Sequence, residues 1–174
     1  MLFSILDIMN ITIQPVAGKD AIAVVARLAS EIWNEHYVPI IGQEQVDYMI
    51  EKYQSEPAIS NQIEKEGYTY FLIYAGKDAV GYLGMQIREQ DLFLSKYYVH
   101  SSQRGKGYGR EALEFIQEYA REQGLQGISL TVNKFNSNSI AAYEKMGFLN
   151  LGPTVADIGN GFIMDDYKMR LPLS

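Results

Sequence analysis

Hydrophobic positions along the chain recur with two periods, about two and about 3.6 residues, which predict strands and helices respectively. In the first third, a short alternating strand at residues 11–14 is followed by three amphipathic segments with apolar residues three or four positions apart. They are a helix capped by Asp20 that ends near Tyr37 before Pro39, a helix over residues 46–53, and a short helix from Ser55.

The rest of the chain is mostly strand, interrupted by two helices. Three strands separated by turns are predicted at residues 68–75, 79–88 and 91–99. A helix ending at Gly124, a strand over residues 128–132, a helix between Asn136 and Gly147, and a hairpin of residues 148–157 and 162–171 follow. This order of elements indicates an α+β fold.

One turn between a strand and a helix is rich in glycine and positive charge. After the strand that ends at Val99, the chain reads Arg104-Gly105-Lys106-Gly107-Tyr108-Gly109-Arg110. A helix start presents unpaired backbone N–H groups and the positive end of the helix dipole, and glycines let the backbone approach a ligand closely. The turn therefore predicts a phosphate site, with an ordinary surface turn as the alternative.

The glycine spacing differs from two common phosphate loops. It is not the G-x-G-x-x-G of dinucleotide sites, and Lys106 is not followed by the Ser or Thr of nucleoside triphosphate loops. The spacing Arg104-x-x-Gly107-x-Gly109 instead resembles the pyrophosphate loop of the GNAT superfamily of N-acetyltransferases. Residues 138–148, N-S-I-A-A-Y-E-K-M-G-F, resemble the helix that follows in that family. The resemblance covers roughly residues 69–148.

The resemblance implies a mixed central sheet of about seven strands flanked by helices. In that family the strand before the loop and the strand after the long helix splay apart, and the cleft between them holds the pantetheine arm of acetyl-CoA. The resemblance assigns acetyl-CoA binding to Tyr98, Val99, Arg104, Gly105, Lys106, Gly107, Tyr108, Gly109, Arg110 and Asn138. A second interpretation of Asn138 is a helix cap.

The resemblance also implies a catalytic residue. Tyr143 matches the family tyrosine that faces the sulfur, where a phenol can protonate the departing thiolate; a packed core tyrosine is the alternative. An amine acceptor is mostly protonated at neutral pH and must lose a proton before attack. No general base is assigned, and the candidates are a water chain or one of Glu35, His36, Glu89 and Asp91.

The acceptor site in this family is walled by the first helices. The cluster of Trp33, Glu35, His36 and Tyr37 there suits an ammonium group through charge and cation–π contact. The alternative is a core tryptophan beside surface charge. Because the net charge is −6, a nucleic-acid partner is not expected, whereas a cationic small substrate is compatible.

Composition removes several kinds of chemistry. The chain has no cysteine, which excludes disulfides, thiolate metal sites and an acyl-cysteine intermediate. His36 and His100 are too isolated for a metal site, so none is predicted. No apolar stretch approaches the roughly 18 residues of a membrane span, and residues 1–9 lack the features of a signal peptide, so a cytoplasmic protein is expected.

No repeat or linker divides the sequence, so residues 1–174 are expected to form one domain, with residues 1–8 as an extension before the first strand. A start at Met1 or at Met9 and a homodimer are left open. The predicted function is transfer of an acetyl group from acetyl-CoA to a primary amine of a small molecule within a ternary complex.

The helices before the strands resemble bacterial polyamine acetyltransferases of the same superfamily, which makes a polyamine the first acceptor to consider. One alternative is acetylation of a protein or peptide amine. Another is a non-catalytic acyl-CoA-binding module, against which Tyr143 argues because a binder needs no acid at the sulfur.

Overall fold

The computed structural model describes residues 10–174, and within them seven strands form one sheet surrounded by helices. The strands are β1 (Thr12–Pro15), β2 (Tyr68–Ala75), β3 (Asp78–Arg88), β4 (Asp91–Val99), β5 (Gly127–Asn133), β6 (Leu149–Gly159) and β7 (Phe162–Pro172). The helices are α1 (Lys19–His36), α2 (Val38–Ile41), α3 (Gln43–Tyr53), α4 (Glu56–Lys65), α5 (Tyr108–Glu122) and α6 (Ser137–Lys145). The extension expected at residues 1–8 lies outside the described residues.

The sheet has the order β1-β2-β3-β4-β5-β7-β6, and β4 and β5 are its parallel pair. All the other neighbouring strands run antiparallel. Sequence therefore predicted the mixed seven-stranded sheet correctly.

The parallel junction between β4 and β5 is short. Its register runs only from Asp91 opposite Gly127 to Phe93 opposite Ser129. Beyond Phe93 the edge of β4 that faces β5 has no strand partner within the described residues. The sheet thus opens at its centre, as the resemblance implied.

A bulge in β4 determines which side chains face each side of the sheet. In the register with β3, Gly84 pairs with Lys96 and Met85 pairs with Leu94, so Ser95 is an extra residue. Leu94 packs in the core beneath α5, whereas Lys96 lies on the opposite face, against Tyr70. The bulge therefore directs a lysine from the central strand toward the side of the first helices.

Both faces of the sheet are covered, which explains why β2 is apolar throughout. Phe71 and Ile73 belong to the core that contains the buried residues of α5. Tyr70 and Leu72 belong to a second core, formed with α1 and α4. A third, smaller cluster joins α1 and α3 to the hairpin of β6 and β7.

Two local predictions at the start of the chain were wrong. Helix α1 begins one residue before Asp20, because Gly18 occupies the N-cap position and Asp20 lies in the first turn. The short helix α2 was not predicted, since Pro39 indicated a break. Pro39 instead lies in the first turn of α2, where a missing N–H costs little, and Gly42, with φ of 86°, separates α2 from α3.

Candidate active site

The glycine-rich turn forms the N-terminus of α5. Gly107 is the N-cap residue in the left-handed conformation, with φ of 82°, and Gly105 has φ of 78°. No side chain among residues 10–174 caps α5, so within the described part of the chain its first N–H groups remain available to an anion. Arg104 and Lys106 are exposed beside them. This cradle fits the diphosphate of acetyl-CoA.

The third glycine of the turn, Gly109, has a different role from Gly105 and Gly107. Gly109 lies inside the first turn of α5, where an added Cβ would be 3.4 Å from the hydroxyl of Tyr97. That hydroxyl donates a hydrogen bond to the Gly109 carbonyl, which ties the end of β4 to the start of α5. Tyr108 is half-buried there and Arg110 is exposed.

The unpaired edge of β4 leads directly to this turn. Tyr98 and Val99 end the strand, and each pairs on its other side with β3. The side chain of Val99 packs in the core beneath α5, and Tyr98 packs with the clusters around α1. Backbone groups on the open edge are therefore free to bind an extended chain such as a pantetheine arm.

Tyr143 lies on α6 beside the opened strands. Its ring stacks on Tyr97, with centroids 6.3 Å apart, and contacts Phe148 at 5.5 Å. Burial raises the pKa of Tyr143 well above its ordinary value, so the phenol is protonated at neutral pH. The side chain can thus donate a proton and cannot act as a base near pH 7.

Asn138 is exposed in the first turn of α6. It does not cap the helix, because Asn136 holds the N-cap position and is buried. The cap interpretation of Asn138 was therefore wrong, while its contact with a cofactor stays a prediction.

A cavity of about 480 Å³ lies between the first helices, the central strands and the hairpin of β6 and β7. Trp33, Tyr37 and Tyr98 form an aromatic wall, with Trp33 4.3 Å from Tyr37 and 5.9 Å from Tyr98 between ring centroids. Thr131 on β5 also lines the cavity, so the cavity meets both strands of the opened junction.

The cluster predicted from α1 is divided between two cavities. Trp33 and Tyr37 line the large one, whereas Glu35 and His36 line a separate cavity of about 140 Å³ beside Arg104. Glu35 accepts a hydrogen bond of 2.6 Å from the Ser101 hydroxyl. Burial, together with the charge of Arg104, lowers the pKa of His36. The four residues therefore do not form a single site.

Two buried ionisable residues of the large cavity were missed from the sequence. Asp166 on β7 is 5% exposed, and burial, with the neighbouring charge of Asp165, raises its pKa to about 6. Lys96 on β4 is also 5% exposed, and burial lowers its pKa to about 8. A lysine within an apolar strand is a signal that could have identified Lys96. Asp166 follows another aspartate, and no local signal in the sequence distinguishes it.

The other candidate bases lie away from the large cavity. Glu89 is exposed in the β3–β4 turn, with φ of 56°. Asp91 accepts two hydrogen bonds from Arg170, at 2.7 and 2.8 Å, and these hold the pKa of Asp91 below its ordinary value. Asp91 therefore links β4 to β7.

No helix within residues 10–174 is long and apolar enough to cross a membrane.

The sequence matches the family described as acetyltransferase (GNAT) over residues 28–148. An uncharacterized N-acetyltransferase, YycN, of Bacillus subtilis (strain 168) is 33% identical over 76 residues, or 41% of this chain and 49% of that protein. Streptothricin acetyltransferase of Streptomyces lavendulae is 31% identical over 86 residues, or 48% of this chain and 46% of that protein. The chain spans about half the length of these curated relatives.

Solved structures share the fold over almost the whole chain. PaiA N-acetyltransferase of Thermoplasma acidophilum, in complex with coenzyme A, gives a TM-score of 0.75 at 19% identity, covering 94% of this chain and 99% of that chain. A spermidine N-acetyltransferase chimera of Vibrio cholerae SpeG and hSSAT gives 0.68 at 20% identity, covering 94% and 96%. Because the family match covers more than half of the sequence and includes both motifs, the chain belongs to the acetyltransferase (GNAT) family, as those motifs predicted.

Proposed function

We propose that this chain transfers an acetyl group from acetyl-CoA to a primary amine of a small molecule, directly and within a ternary complex. The observation that supports this most is the opened β4–β5 junction. It adjoins the α5 cradle, and residues of both strands line the large cavity. A cavity of about 480 Å³ is in the size range of small-molecule pockets, so a compact acceptor fits it better than an extended peptide.

The residues around the junction divide the chemistry between them. In the proposed roles, the α5 cradle binds the diphosphate, and the open edge of β4 binds the pantetheine arm and polarises the thioester carbonyl. The amine nitrogen attacks the carbonyl carbon, the new N–C bond forms and the C–S bond breaks. Tyr143 then gives its hydroxyl proton to the thiolate sulfur.

The proton that leaves the amine needs an acceptor as well. We propose Asp166 as the base for this role, because it is buried on the cavity wall and its pKa of about 6 leaves it mainly ionised at pH 7. A carboxylate there can bind the incoming ammonium group and then accept its proton, directly or through water. The distance of Asp166 from β4, two strands away, favours transfer through water.

The relatives support a small acceptor without naming it. One is a streptothricin acetyltransferase, and one neighbour by fold is a spermidine N-acetyltransferase chimera. A polyamine acceptor and the peptide alternative therefore stay predictions. Members of the family use acetyl-CoA, and PaiA was solved with coenzyme A.

The test of the proposed function is release of free thiol from acetyl-CoA across polyamines, amino acids, aminoglycosides and peptides. We expect turnover with at least one small amine. Tyr143→Phe should lower the rate about a hundredfold, with little change in acetyl-CoA affinity, because only the hydroxyl is lost.

Tyr119→Phe is the matched control, since Tyr119 is a partly buried tyrosine that packs on Phe71 and does not line the large cavity. Its rate should equal that of the unchanged protein. Binding of acetyl-CoA without turnover of any acceptor would support the non-catalytic alternative, and turnover of peptides alone would support the protein-acetylating one.

A further inference from the structure

The wall of the large cavity nearest α4 carries two positive charges. Lys96 extends from β4 across the sheet, and its ammonium lies 5.1 Å from the ring centroid of Tyr68 and 5.3 Å from that of Tyr70. Arg88, at the end of β3, stacks on Phe93 at 3.7 Å and donates to the Tyr68 hydroxyl at 3.2 Å. Both side chains line the same cavity.

Lys96 is held in place by neutral groups. Its ammonium donates to Oε1 of Gln62 at 2.9 Å, and Tyr70 donates to the same oxygen. The amide nitrogen of Gln62 donates to the Tyr53 carbonyl at 3.0 Å, which fixes the orientation of the amide. The buried ammonium therefore has a positioned acceptor for one of its three N–H groups and two aromatic faces, but no counter-charge from these groups.

No carboxylate within residues 10–174 lies within 4.0 Å of a nitrogen of Lys96 or Arg88. Glu66, the C-cap residue of α4, lines the same cavity, and its negative charge acts on Lys96 from beyond 4.0 Å. Its carboxylate accepts a hydrogen bond of 2.8 Å from Asn61 and forms no ion pair with either cation. A charge without a direct ion pair is costly to bury, and a lysine that is 5% exposed keeps little of its hydration. The arrangement stabilises an anion that enters the cavity between the two cations.

The opposite wall of the cavity is acidic. Asp166 lies on β7, which is two strands from β4 in the sheet, and exposed Asp157 on β6 also lines the cavity. Neighbouring strands are about 4.8 Å apart, so the β4 and β7 backbones are separated by roughly 10 Å, and the opened junction adds to this. The cavity thus has two cations and one carboxylate, Glu66, at its α4 end, and two carboxylates at its hairpin end, so the α4 end is the more positive of the two.

We propose that the acceptor carries a carboxylate in addition to the amine that is acetylated, and that this carboxylate binds between Lys96 and Arg88. The proposal rests on the proposed function and narrows its substrate class to amino acids and related amino-carboxylates. The planar guanidinium of Arg88 and the positioned ammonium of Lys96 suit the two oxygens of a carboxylate. A diamine would instead bring its second ammonium against both cations, which disfavours it.

The experiment compares acceptors that differ only in the charge of the group remote from the reacting amine. The panel is 6-aminohexanoate, 6-aminohexanamide and 1,6-diaminohexane, together with L-leucine and L-leucinamide to cover the α-amino spacing. Thiol release from acetyl-CoA gives KM and kcat for each. We expect kcat/KM for at least one carboxylate to exceed that of its amide roughly tenfold or more, mainly through KM.

Two variants connect that preference to the residues. Lys96→Gln should abolish the preference by raising KM for the carboxylate about tenfold while leaving KM for the amide within about twofold. Lys96→Arg should retain part of it. Arg88→Gln, at an exposed position, tests the same site without a change in the core. Lys77→Gln, in the exposed β2–β3 turn, is the control and should keep the full preference.

The outcomes separate this inference from the proposed function. Amides or diamines acetylated as well as the carboxylates would overturn the inference and leave the N-acetyltransferase function standing. Absence of thiol release with every amine would remove the proposed function. Calorimetric titration of the two carboxylates into protein saturated with coenzyme A then decides the inference by itself. Binding that Lys96→Gln abolishes supports the carboxylate site, and no binding at millimolar concentration overturns it.

Discussion

At the scale of single residues, the position of Lys96 depends on the glycine opposite it. Gly84 pairs with Lys96 across β3 and β4, and a Cβ on Gly84 would lie 2.9 Å from Cδ of Lys96 and 3.1 Å from the Tyr70 ring. Any larger residue would therefore push the lysine and the tyrosine apart. Because Gly84 has no side chain, the stem of Lys96 can pass over β3 on one face of the sheet and reach Gln62.

Gly84→Ala should accordingly lower the free energy of unfolding by about 1–3 kcal/mol, because the added methyl group overpacks a buried site. The same change in a Lys96→Ala background should cost much less, since the flexible lysine stem is no longer in the way. Urea unfolding of the four proteins in this double-mutant cycle gives the coupling free energy. Equal costs in both backgrounds would mean that Gly84 does not position Lys96.

The sequence could nominate individual site residues where a motif contained them. Arg104, Gly107 and Tyr143 belong to spacings that are long enough to be specific. Asp166 and Thr131 come from different strands and meet only because β5 and β7 pair in a particular register. Sequence reasoning also grouped Glu35 with Trp33, although two positions apart on a helix point in directions about 200° apart, toward different cavities.

At the scale of elements, the turn before α5 owes both its shape and its proposed binding of the diphosphate to glycine backbone conformation. Gly107 has φ of 82°, and in the described part of the chain no atom beyond its sequence neighbours lies within 4 Å of an added Cβ. A substitution there is therefore strained by its backbone dihedral rather than by crowding. The same holds for Gly124 at the other end of α5, with φ of 73°.

Because Gly107 and Gly124 have similar backbone conformations, Gly124 provides a control for a test of the cradle. Gly107→Val and Gly124→Val should each destabilise the fold by about 1–2 kcal/mol. Only Gly107→Val should weaken coenzyme A binding, by tenfold or more, because relief of strain moves the N–H groups that we propose bind the diphosphate. Calorimetry with coenzyme A measures both affinities. Unchanged affinity in Gly107→Val would exclude the turn as the diphosphate site.

The elements themselves were predicted well wherever periodicity and turn residues agreed. The hairpin around Asn160 and the start of α6 at Ser137 are examples. The short helix α2 was missed because four residues are too few to show a helical period. The bulge at Ser95 was missed too, since it depends on the partner strand and not on the local sequence. That bulge is nevertheless what directs Lys96 toward the cavity.

At the scale of the whole molecule, two aspartates are expected to affect acid stability in opposite directions. The hydrogen bonds from Arg170 hold the pKa of Asp91 below 3.8. Asp91 therefore stabilises the fold above about pH 4, and this contribution is lost as the pH falls through the lowered folded-state pKa. It joins β4 to β7 across β5, at the closed end of the opened sheet.

Asp166 acts in the other sense, because burial raises its pKa from 3.8 to about 6. Its charged form destabilises the fold above about pH 6, by an amount on the order of 3 kcal/mol. This cost disappears as the pH falls from about 6 toward 3.8, where the folded state binds a proton more readily than the unfolded state does. The proposed catalytic carboxylate is thus maintained at the expense of stability at neutral pH.

Urea unfolding between pH 3 and 7 can separate the two contributions. Between pH 7 and 5, the free energy of unfolding should increase less in Asp166→Asn than in the unchanged protein. Below pH 4, it should decrease less steeply in Asp91→Asn. Asp78→Asn, at an exposed position, serves as the control and should leave the pH profile unchanged. Parallel profiles for Asp166→Asn and the unchanged protein from pH 7 to 5 would show that Asp166 is hydrated in the fold, which would also remove the basis for its role as proton acceptor.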